Sequence, residues 1–357
     1  MLGKVLAGSL ALASFTASAQ SVTIYGIADN SVEHLTNVNA AGNSLSRMPT
    51  LTGLAPSRLA FRGSEDLGDG LQAFFNLEMG IALDGGTFNN GGRAFGRASN
   101  VGLAGPWGRL SFGRQPNMTV QAVSTHVTGP ALYSIGSQDT YLPNAFSDNA
   151  IGYLGTFGAW TVGATYSFGR DSAVGTIPSA TNCPGELAAD SKACTQWTAI
   201  VKYDTASWGT AVSRDEMRGG PNAALGLSSS DYTDKRTIVS GWARIGPAKV
   251  SGGVLHRDRE TATSRKSNLY YIGASYPLTA VLTLDGEVSR QDVKNSPDDA
   301  NMYIARLVYW LSKRTALYTM AGHVANKGQA AIALSAGGTV GTGMSQSGIA
   351  AGIHHKF

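Results

Sequence analysis

Long apolar runs are absent from this chain of 357 residues, and charged residues are sparse. No stretch of about 18 consecutive apolar residues occurs after residue 20, which excludes an ordinary transmembrane helix there. Asp, Glu, Lys and Arg make up 15% of the chain, and the net charge is only +4. The basic residues are scattered, so the sequence gives no support for nucleic-acid binding. Long helical patterns, which a soluble domain of this length normally shows, are also missing.

Cysteine is nearly absent, since Cys183 and Cys194 are the only two. In an exported protein such a pair favours a disulfide. The bond would close a short loop and stabilise it by roughly 2–3 kcal/mol. The alternative, a metal site, needs further ligands, and no His lies nearby. We predict a disulfide, and neither a metal nor a cofactor.

The N-terminus has the pattern of a secretory signal peptide. Lys4 is followed by a mostly apolar run over residues 5–15 and by the small-residue segment Ala17-Ser18-Ala19. The run is too short to cross a bilayer as a helix, although an uncleaved anchor is the alternative interpretation. We predict a signal peptide over residues 1–19 and a single domain over 20–357, in which the loss of Lys4 lowers the net charge from +4 to +3.

Apolar and polar residues alternate in segments throughout the mature chain, as β-strands require. Residues 57–64, 71–79, 196–204 and 281–289 are clear examples. We count sixteen such segments, which begin near Val22, Ser57, Leu71, Ala98, Trp107, Asn149, Trp160, Gln196, Trp208, Lys235, Ala248, Asn268, Val281, Asn301, Thr315 and Gln346. The polar faces carry charges, which would face water in a soluble sandwich and the lumen in a membrane barrel.

The connections between these segments alternate in length, and this distinguishes the two architectures. Seven are tight and rich in Gly, Pro and Asp: 66–70, 105–108, 155–159, 205–207, 246–247, 277–280 and 312–314. Eight are longer: 36–56, 80–97, 116–148, 168–195, 219–234, 258–267, 292–300 and 327–345. Short periplasmic turns and long external loops are typical of outer-membrane barrels. Trp107, Trp160 and Trp208 each follow a short turn and fit an aromatic girdle.

Four segments resemble the general trimeric porins of β-proteobacteria, the neisserial and Burkholderia type. They are Ser21–Gly26 (SVTIYG), Ser57–Leu71 (SRLAFRGSEDLGDGL), Trp107–Gln115 (WGRLSFGRQ) and Leu311–Tyr318 (LSKRTALY). The resemblance extends over residues 21–357. It implies an all-β fold, a 16-stranded antiparallel transmembrane β-barrel in the bacterial outer membrane, which assembles as a homotrimer among lipid and lipopolysaccharide. Phe357 matches the terminal residue by which such barrels are delivered to their assembly machinery.

The resemblance also implies that the third long loop, residues 116–148, folds into the barrel and narrows the pore. A loop of this length is usually functional. The segment Pro143–Asp148 (PNAFSD) resembles its tip, but Asn144 replaces the acidic residue that many porins carry. This departure weakens any expectation that the constriction repels anions.

We therefore expect a water-filled pore whose selectivity depends on the fixed charges at its narrowest point. Strand alternation turns Arg58 and Arg62 inward, whereas Arg97 shares the parity of lipid-facing residues and needs an irregularity to reach the lumen. The loop offers few acids, and Asp29 is a further acid on the wall. We predict passive diffusion of ions and small hydrophilic solutes with a weak anion preference, through a constriction formed by Arg58, Arg62, Glu78, Arg97, Asp139 and Asp148.

Four alternative interpretations remain at this point. A barrel enzyme would need a Ser/His/acid set; His126, His256 and His323 are available, but no Gly-x-Ser-x-Gly motif occurs. The His354-His355 pair is a poor metal site, because consecutive strand residues point to opposite faces. A substrate-specific channel of similar build and a soluble β-sandwich complete the alternatives.

Overall fold

The computed structural model describes residues 21–51, 53–123, 127, 132–173 and 180–357. Within these ranges, sixteen long strands follow one another along the chain, and we number them β1 to β16. Their bounds are Ser21–Leu35, Arg58–Gly68, Leu71–Ala82, Ala98–Gly105, Gly108–Pro116, Ala150–Phe157, Trp160–Ser167, Gln196–Asp204, Trp208–Arg218, Thr233–Ile245, Ala248–Glu260, Ser264–Pro277, Leu282–Val293, Ala300–Trp310, Thr315–Asn326 and Gln346–Lys356. Short strand segments at Leu45–Arg47, Thr87–Phe88 and Phe146–Ser147 extend this sheet locally.

Each strand pairs antiparallel with the next, and the sheet closes on itself because β1 also pairs with β16. The closing register extends from Ile27 opposite Lys356 to Leu35 opposite Gly348. Closure leaves no long unpaired edge. The expectation of an all-β, sixteen-stranded antiparallel barrel is confirmed. In the described part of the chain, no helix is long and apolar enough to span a membrane.

The predicted alternation of connection lengths holds with one exception. β11 and β12 extend further than expected, so the long connection predicted at 258–267 is reduced to residues 261–263. The pairs from Arg257–Ser267 to Glu260–Ser264 continue the ladder because the alternating pattern extends across residues assigned to the loop. The predicted signal peptide, residues 1–19, lies outside the described residues.

Apolar side chains cover the outer face of the barrel, where alternate residues of every strand point. Val22, Ile24, Val101, Ile272 and Ile353, for example, are all exposed.

Aromatic rings gather beside three of the tight turns. Trp107 stacks on Tyr153 with a centroid distance of 6.5 Å. The Tyr203 ring lies between Trp160 and Trp208, at 4.9 and 5.3 Å. This is the arrangement expected of rings at a membrane interface.

The third loop, between Pro116 and Ala150, folds against the inner wall, as predicted. It contains two short helices, α1 (Met118–Val123) and α2 (Ile135–Gln138), and a 3₁₀ turn at Leu142–Asn144. The loop is tied to successive strands: the Met118 amide donates to Thr198 of β8, and the Ser240 hydroxyl of β10 donates to the Ala122 carbonyl. These bonds fix the loop along one side of the lumen.

The covered wall is apolar on its inner face, which the sequence pattern did not predict. Ile200, Ile238 and Leu255 pack against α1 and the end of the loop. Further round the barrel, Met302 and Ile304 pack with the loop residues Leu132 and Tyr133. Inward positions become apolar here because the loop, rather than water, is their neighbour.

Cys183 and Cys194, in the loop between β7 and β8, are joined by a disulfide with a Cα–Cα distance of 5.2 Å.

Candidate functional site: the lumen wall beside the third loop

The inner face of β2–β5, together with the first half of β1, is the part of the wall that the third loop leaves open, whereas the inward residues of β1 from Asp29 to Leu35 are buried. Polar side chains cover it, and Thr23, Arg62, Ser64 and Gln72 are exposed. Because the opposite wall is buried under the loop, solutes that cross the barrel pass along these strands. The charges next to this passage therefore define the candidate site.

One carboxylate on this wall, that of Glu78, forms ion pairs with two guanidinium groups. Arg58 Nη1 lies 3.5 Å from Glu78 Oε1, and Arg97 Nε donates to the same oxygen. The Tyr25 hydroxyl donates to Glu78 Oε2 at 3.2 Å. Glu78 faces Ala60 across the β2–β3 ladder, so all these groups share the inward face. The structure thus brings together three of the residues selected from the sequence: Arg58, Glu78 and Arg97.

Arg97 reaches the lumen because it precedes β4 and is not part of it. Its amide donates to the Glu78 carbonyl at 3.0 Å, whereas the regular β3–β4 pairing begins at Ala98. The strand alternation that turns the side chains of Val101 and Leu103 outward therefore does not apply to Arg97. This is the irregularity that the sequence pattern required.

Phe146, near the end of the third loop, lies between two arginines. Its ring centroid is 5.2 Å from Cζ of Arg97 and 5.6 Å from Cζ of Arg114. Both distances fall within the range of cation–π attraction. Gly113 has a φ of +114°, a conformation that favours glycine and interrupts regular strand alternation just before Arg114.

Asp148, which ends the third loop, joins three loops at the mouth of the barrel. It pairs with Arg114 and, at 3.1 Å, with Arg93 of the loop between β3 and β4. Asp171, after β7, pairs with the same Arg93 and lies 3.6 Å from Arg170. These groups lie in the extracellular half of the lumen if the long loops are external.

Both carboxyls of this mouth network ionise readily. Burial opposes ionisation of Asp148, but Arg114, Ser172 and Arg93 outweigh it and hold its pKa below the usual range. Burial likewise opposes ionisation of Asp171, and Arg170 and Arg93 lower its pKa. Both residues therefore act as anions that hold the three loops together.

We define the arginine band as the arginines of these two clusters together with their acids. It contains five arginines, Arg58, Arg93, Arg97, Arg114 and Arg170, and three carboxylates, Glu78, Asp148 and Asp171. Arginine keeps its charge under all ordinary conditions. The band is therefore net positive beside the passage.

Asp139 does not belong to this band, which corrects the prediction that it lines the constriction. Its side chain is buried beneath the loop, with Arg236 Nε 2.7 Å from Oδ2 and Arg257 Nη1 3.6 Å from Oδ1. Asp234, whose carboxylate lies 3.2 Å from Arg236, provides a second negative charge opposite the two arginines. Asp139 turns toward β10 because a buried guanidinium requires a carboxylate partner. Its role is to anchor the loop.

Asp29 is also withdrawn from the lumen. Its carboxylate accepts from the Tyr318 hydroxyl at 2.7 Å and lies 2.8 Å from His354 Nδ1. The amides of Leu54 and Ala55 donate to the same group, each at 3.2 Å. Asp29 therefore holds the first long loop and adds little negative charge to the passage.

Arg62 lies beside the band but does not join it. Its guanidinium stacks 5.0 Å above the Tyr25 ring and is four residues further along β2 than Arg58. The predicted constriction set is thus divided over four places: the Glu78 cluster, the mouth network, the buried loop anchor and Arg62.

Sequence reasoning missed several charged residues of the lumen. Arg93, Arg170 and Asp171 lie in long loops, where no periodicity signals direction. Arg109 could have been found, because it alternates with Ser111 on a strand that the sequence already predicted. His256 and His323, the candidates for a barrel enzyme, contact Asn268 and Ser347 respectively, whereas His126 lies outside the described residues.

A closed sixteen-stranded barrel with a polar lumen and an inserted loop defines an outer-membrane channel protein. The sequence model of the Gram-negative porin family matches residues 6–329, and the chain belongs to this family. It is thus an outer-membrane porin that crosses the membrane with many strands, in agreement with the sequence prediction.

Three relatives illustrate the similarity. Outer membrane porin protein 32 of Delftia acidovorans is 32% identical over the full length of both chains. An outer membrane porin protein of Bordetella pertussis (strain Tohama I) is 29% identical, over 90% of this chain and 94% of its own. The structure of the anion-selective porin from Comamonas acidovorans matches with a TM-score of 0.77 and 28% identity, over 95% of this chain and 100% of that chain.

Proposed function

We propose that this porin conducts ions and small hydrophilic solutes by passive diffusion, with a weak preference for anions, and that it has no enzymatic activity. The observation that carries the proposal is the arginine band, in which five guanidinium groups outnumber three carboxylates beside the open wall. Net positive charge at a narrow passage raises the local concentration of anions.

Two further observations support the sign of this preference. The loop acid Asp139 is neutralised by buried arginines and so adds no field to the passage. The structural relative from Comamonas acidovorans is described as anion-selective, and it is similar to this chain over nearly its whole length.

The test is the reversal potential of the purified protein in a planar bilayer with a KCl gradient. A small displacement toward the chloride equilibrium potential is expected. A value displaced toward the potassium potential would contradict the anion preference, and the absence of any channel would contradict passive diffusion. Hydrolysis of detergent-solubilised lipid by the pure protein would instead support an enzyme.

We further propose that the barrel assembles as a homotrimer within outer-membrane lipid and lipopolysaccharide. The outer face of β1 supports a protein contact because its middle is weakly apolar, with Gly26, Ala28 and Asn30 between the larger residues Ile24 and Val32. A species near three times the monomer mass in unheated detergent gels is expected, and a monomer under the mildest extraction would count against it.

A further inference from the structure

A cavity of about 370 Å³ opens from the lumen next to the arginine band, on the side of the tight turns. Arg62, Arg109, Tyr25, Phe74 and Asn76 contribute to its lining, with the hydroxyl and amide groups of Thr23, Ser64 and Gln72. Two arginines therefore share one solute-sized space with neutral hydrogen-bonding groups.

The topology places this cavity nearer the tight turns than the arginine band. Arg58 begins β2 directly after a long loop, whereas Arg62 lies four residues further toward the turn to β3. Arg109 is the second residue of β5, just after the turn from β4. With the long loops external, the cavity lies in the periplasmic half of the lumen.

Both arginines of the cavity lack an acidic partner among the described residues, in contrast to the five of the band. No carboxylate of the described chain lies within ion-pair distance of Arg62 or Arg109. Their positive charges are therefore uncompensated at short range.

Aromatic rings hold the two guanidinium groups instead. Arg62 lies 5.0 Å above the Tyr25 ring, and Arg109 lies 4.1 Å above the Phe74 ring. Phe74 is itself buried on the wall although it points inward. Stacking engages the face of a guanidinium and leaves its N–H groups, which all lie in the plane, available for acceptors.

We propose that Arg62 and Arg109 form a binding subsite for the oxyanion group of a permeating solute, a phosphate or a carboxylate. This subsite adds selectivity among anions, and it rests on the proposed anion preference. The band admits anions, and the subsite retains those that can accept hydrogen bonds from a planar pair of N–H donors. Chloride, which is spherical, gains nothing from this planar geometry, whereas phosphate and carboxylate match it.

The test measures block of the KCl current by inorganic phosphate and, separately, by succinate. Each probe is expected to reduce the single-channel current saturably. The probe with the lower half-blocking concentration identifies whether the site prefers a phosphate or a carboxylate group. A current that falls linearly with both probes, without saturation, would overturn the proposal.

Arg109→Lys and Arg62→Lys provide the specific variants, because lysine keeps the charge but loses the planar donor pair. Each is expected to raise the half-blocking concentration of the preferred probe about tenfold. Arg290→Lys is the matched control, since Arg290 is exposed at the rim and pairs with Asp299. If Arg62→Lys and Arg109→Lys have the same half-blocking concentration as Arg290→Lys and the parent protein, the proposal is also overturned.

The outcome also separates this proposal from the proposed function. A channel with anion preference but no saturable block by phosphate or succinate would remove the subsite alone. A cation-preferring channel would remove the anion preference on which the subsite rests. Phe74→Leu, which keeps an apolar side chain but removes the ring under Arg109, is expected to weaken block in the same direction as Arg109→Lys.

Discussion

Glu78 is the acid that Arg58, Arg97 and Tyr25 share on the open wall. Replacing it with glutamine keeps the shape and hydrogen-bonding capacity of the side chain but removes its negative charge. Because two arginines then remain without a counter-charge, Glu78→Gln is expected to increase anion preference. The reversal potential in a KCl gradient should move further toward the chloride potential.

Glu260→Gln is the matched control for this prediction. Glu260 pairs with Lys235 at 3.0 Å on an exposed part of the barrel rim, far along the chain from the band. Exposed pairs are screened by salt and contribute little. Equal shifts of the reversal potential in Glu78→Gln and Glu260→Gln would mean that the Glu78 cluster does not control the ion selectivity of the passage.

Asp139 anchors the third loop through the buried side chain of Arg236, so Asp139→Asn should loosen the loop. Removing one partner of a buried ion pair costs about 3–5 kcal/mol, and Asp234 reduces the loss by retaining one contact with Arg236. The expected result is larger open-channel current noise and faster amide hydrogen exchange in the loop. The barrel itself should stay intact, because its ladder does not involve Asp139.

Asp292→Asn tests whether loss of any acid has this effect. Asp292 pairs with Lys294 at the exposed rim, where substitutions usually change stability by less than about 0.5 kcal/mol. Noise and exchange close to those of the parent protein are expected. If Asp139→Asn behaves in the same way, the buried pair does not hold the loop.

At the scale of elements, the mouth network makes three loops depend on ionised carboxyls. The pKa of Asp148 is lowered in the folded protein, since Arg114, Ser172 and Arg93 outweigh the opposing effect of burial. The stabilisation is therefore complete above the unfolded pKa of about 4 and is lost only as the pH falls through the lower folded value. Conductance and noise should be constant between about pH 7 and 5 and change below about pH 4.

Asp148→Asn provides the control for this acid transition. The variant lacks the titrating group, so it should show altered loop behaviour at neutral pH and a smaller further change in acid. Asp171 leaves a residual transition in acid, since Arg170 and Arg93 outweigh burial and lower its pKa as well. A change already complete at pH 5 would require another titrating group.

The strands were predictable because each carries its own period of two, but the loop contacts were not. Arg97 and Arg114 reach the band through local irregularities, a position before β4 and a positive φ at Gly113. Met302 and Ile304 are apolar on an inward face because the third loop covers them. Strand periodicity contains no information about which inward positions a distant loop will cover, so neither these contacts nor the burial of Asp139 could be read from it.

At the scale of the whole molecule, the seam between β1 and β16 turns the sheet into a barrel. Inside, Asp29 of β1 contacts His354 of β16 and Tyr318 of β15. At the end of the barrel that carries the tight turns, the Gly26 amide donates to the Phe357 carbonyl at 3.1 Å, and the Phe357 amide donates to the Gly26 carbonyl at 3.2 Å. The last residue thus extends the closing ladder beyond β16.

Gly26 is required at this seam because two neighbours occupy the space of a side chain. A Cβ there would lie 2.6 Å from the Arg58 carbonyl oxygen and would also overlap the Phe357 ring. Gly26→Ala must therefore displace either the β1–β2 ladder or the terminal ring, and we expect slower barrel closure and a lower temperature of heat-induced unfolding in detergent.

Gly286→Ala is the control, since its added Cβ would come no closer than 3.9 Å, to the Ile304 carbonyl oxygen. The measurement is the fraction of heat-modifiable barrel on gels during refolding into detergent micelles, together with its melting temperature. If the two variants fold at the same rate and melt together, the Phe357–Gly26 contact is not limiting, and closure depends on the interior contacts of Asp29 instead.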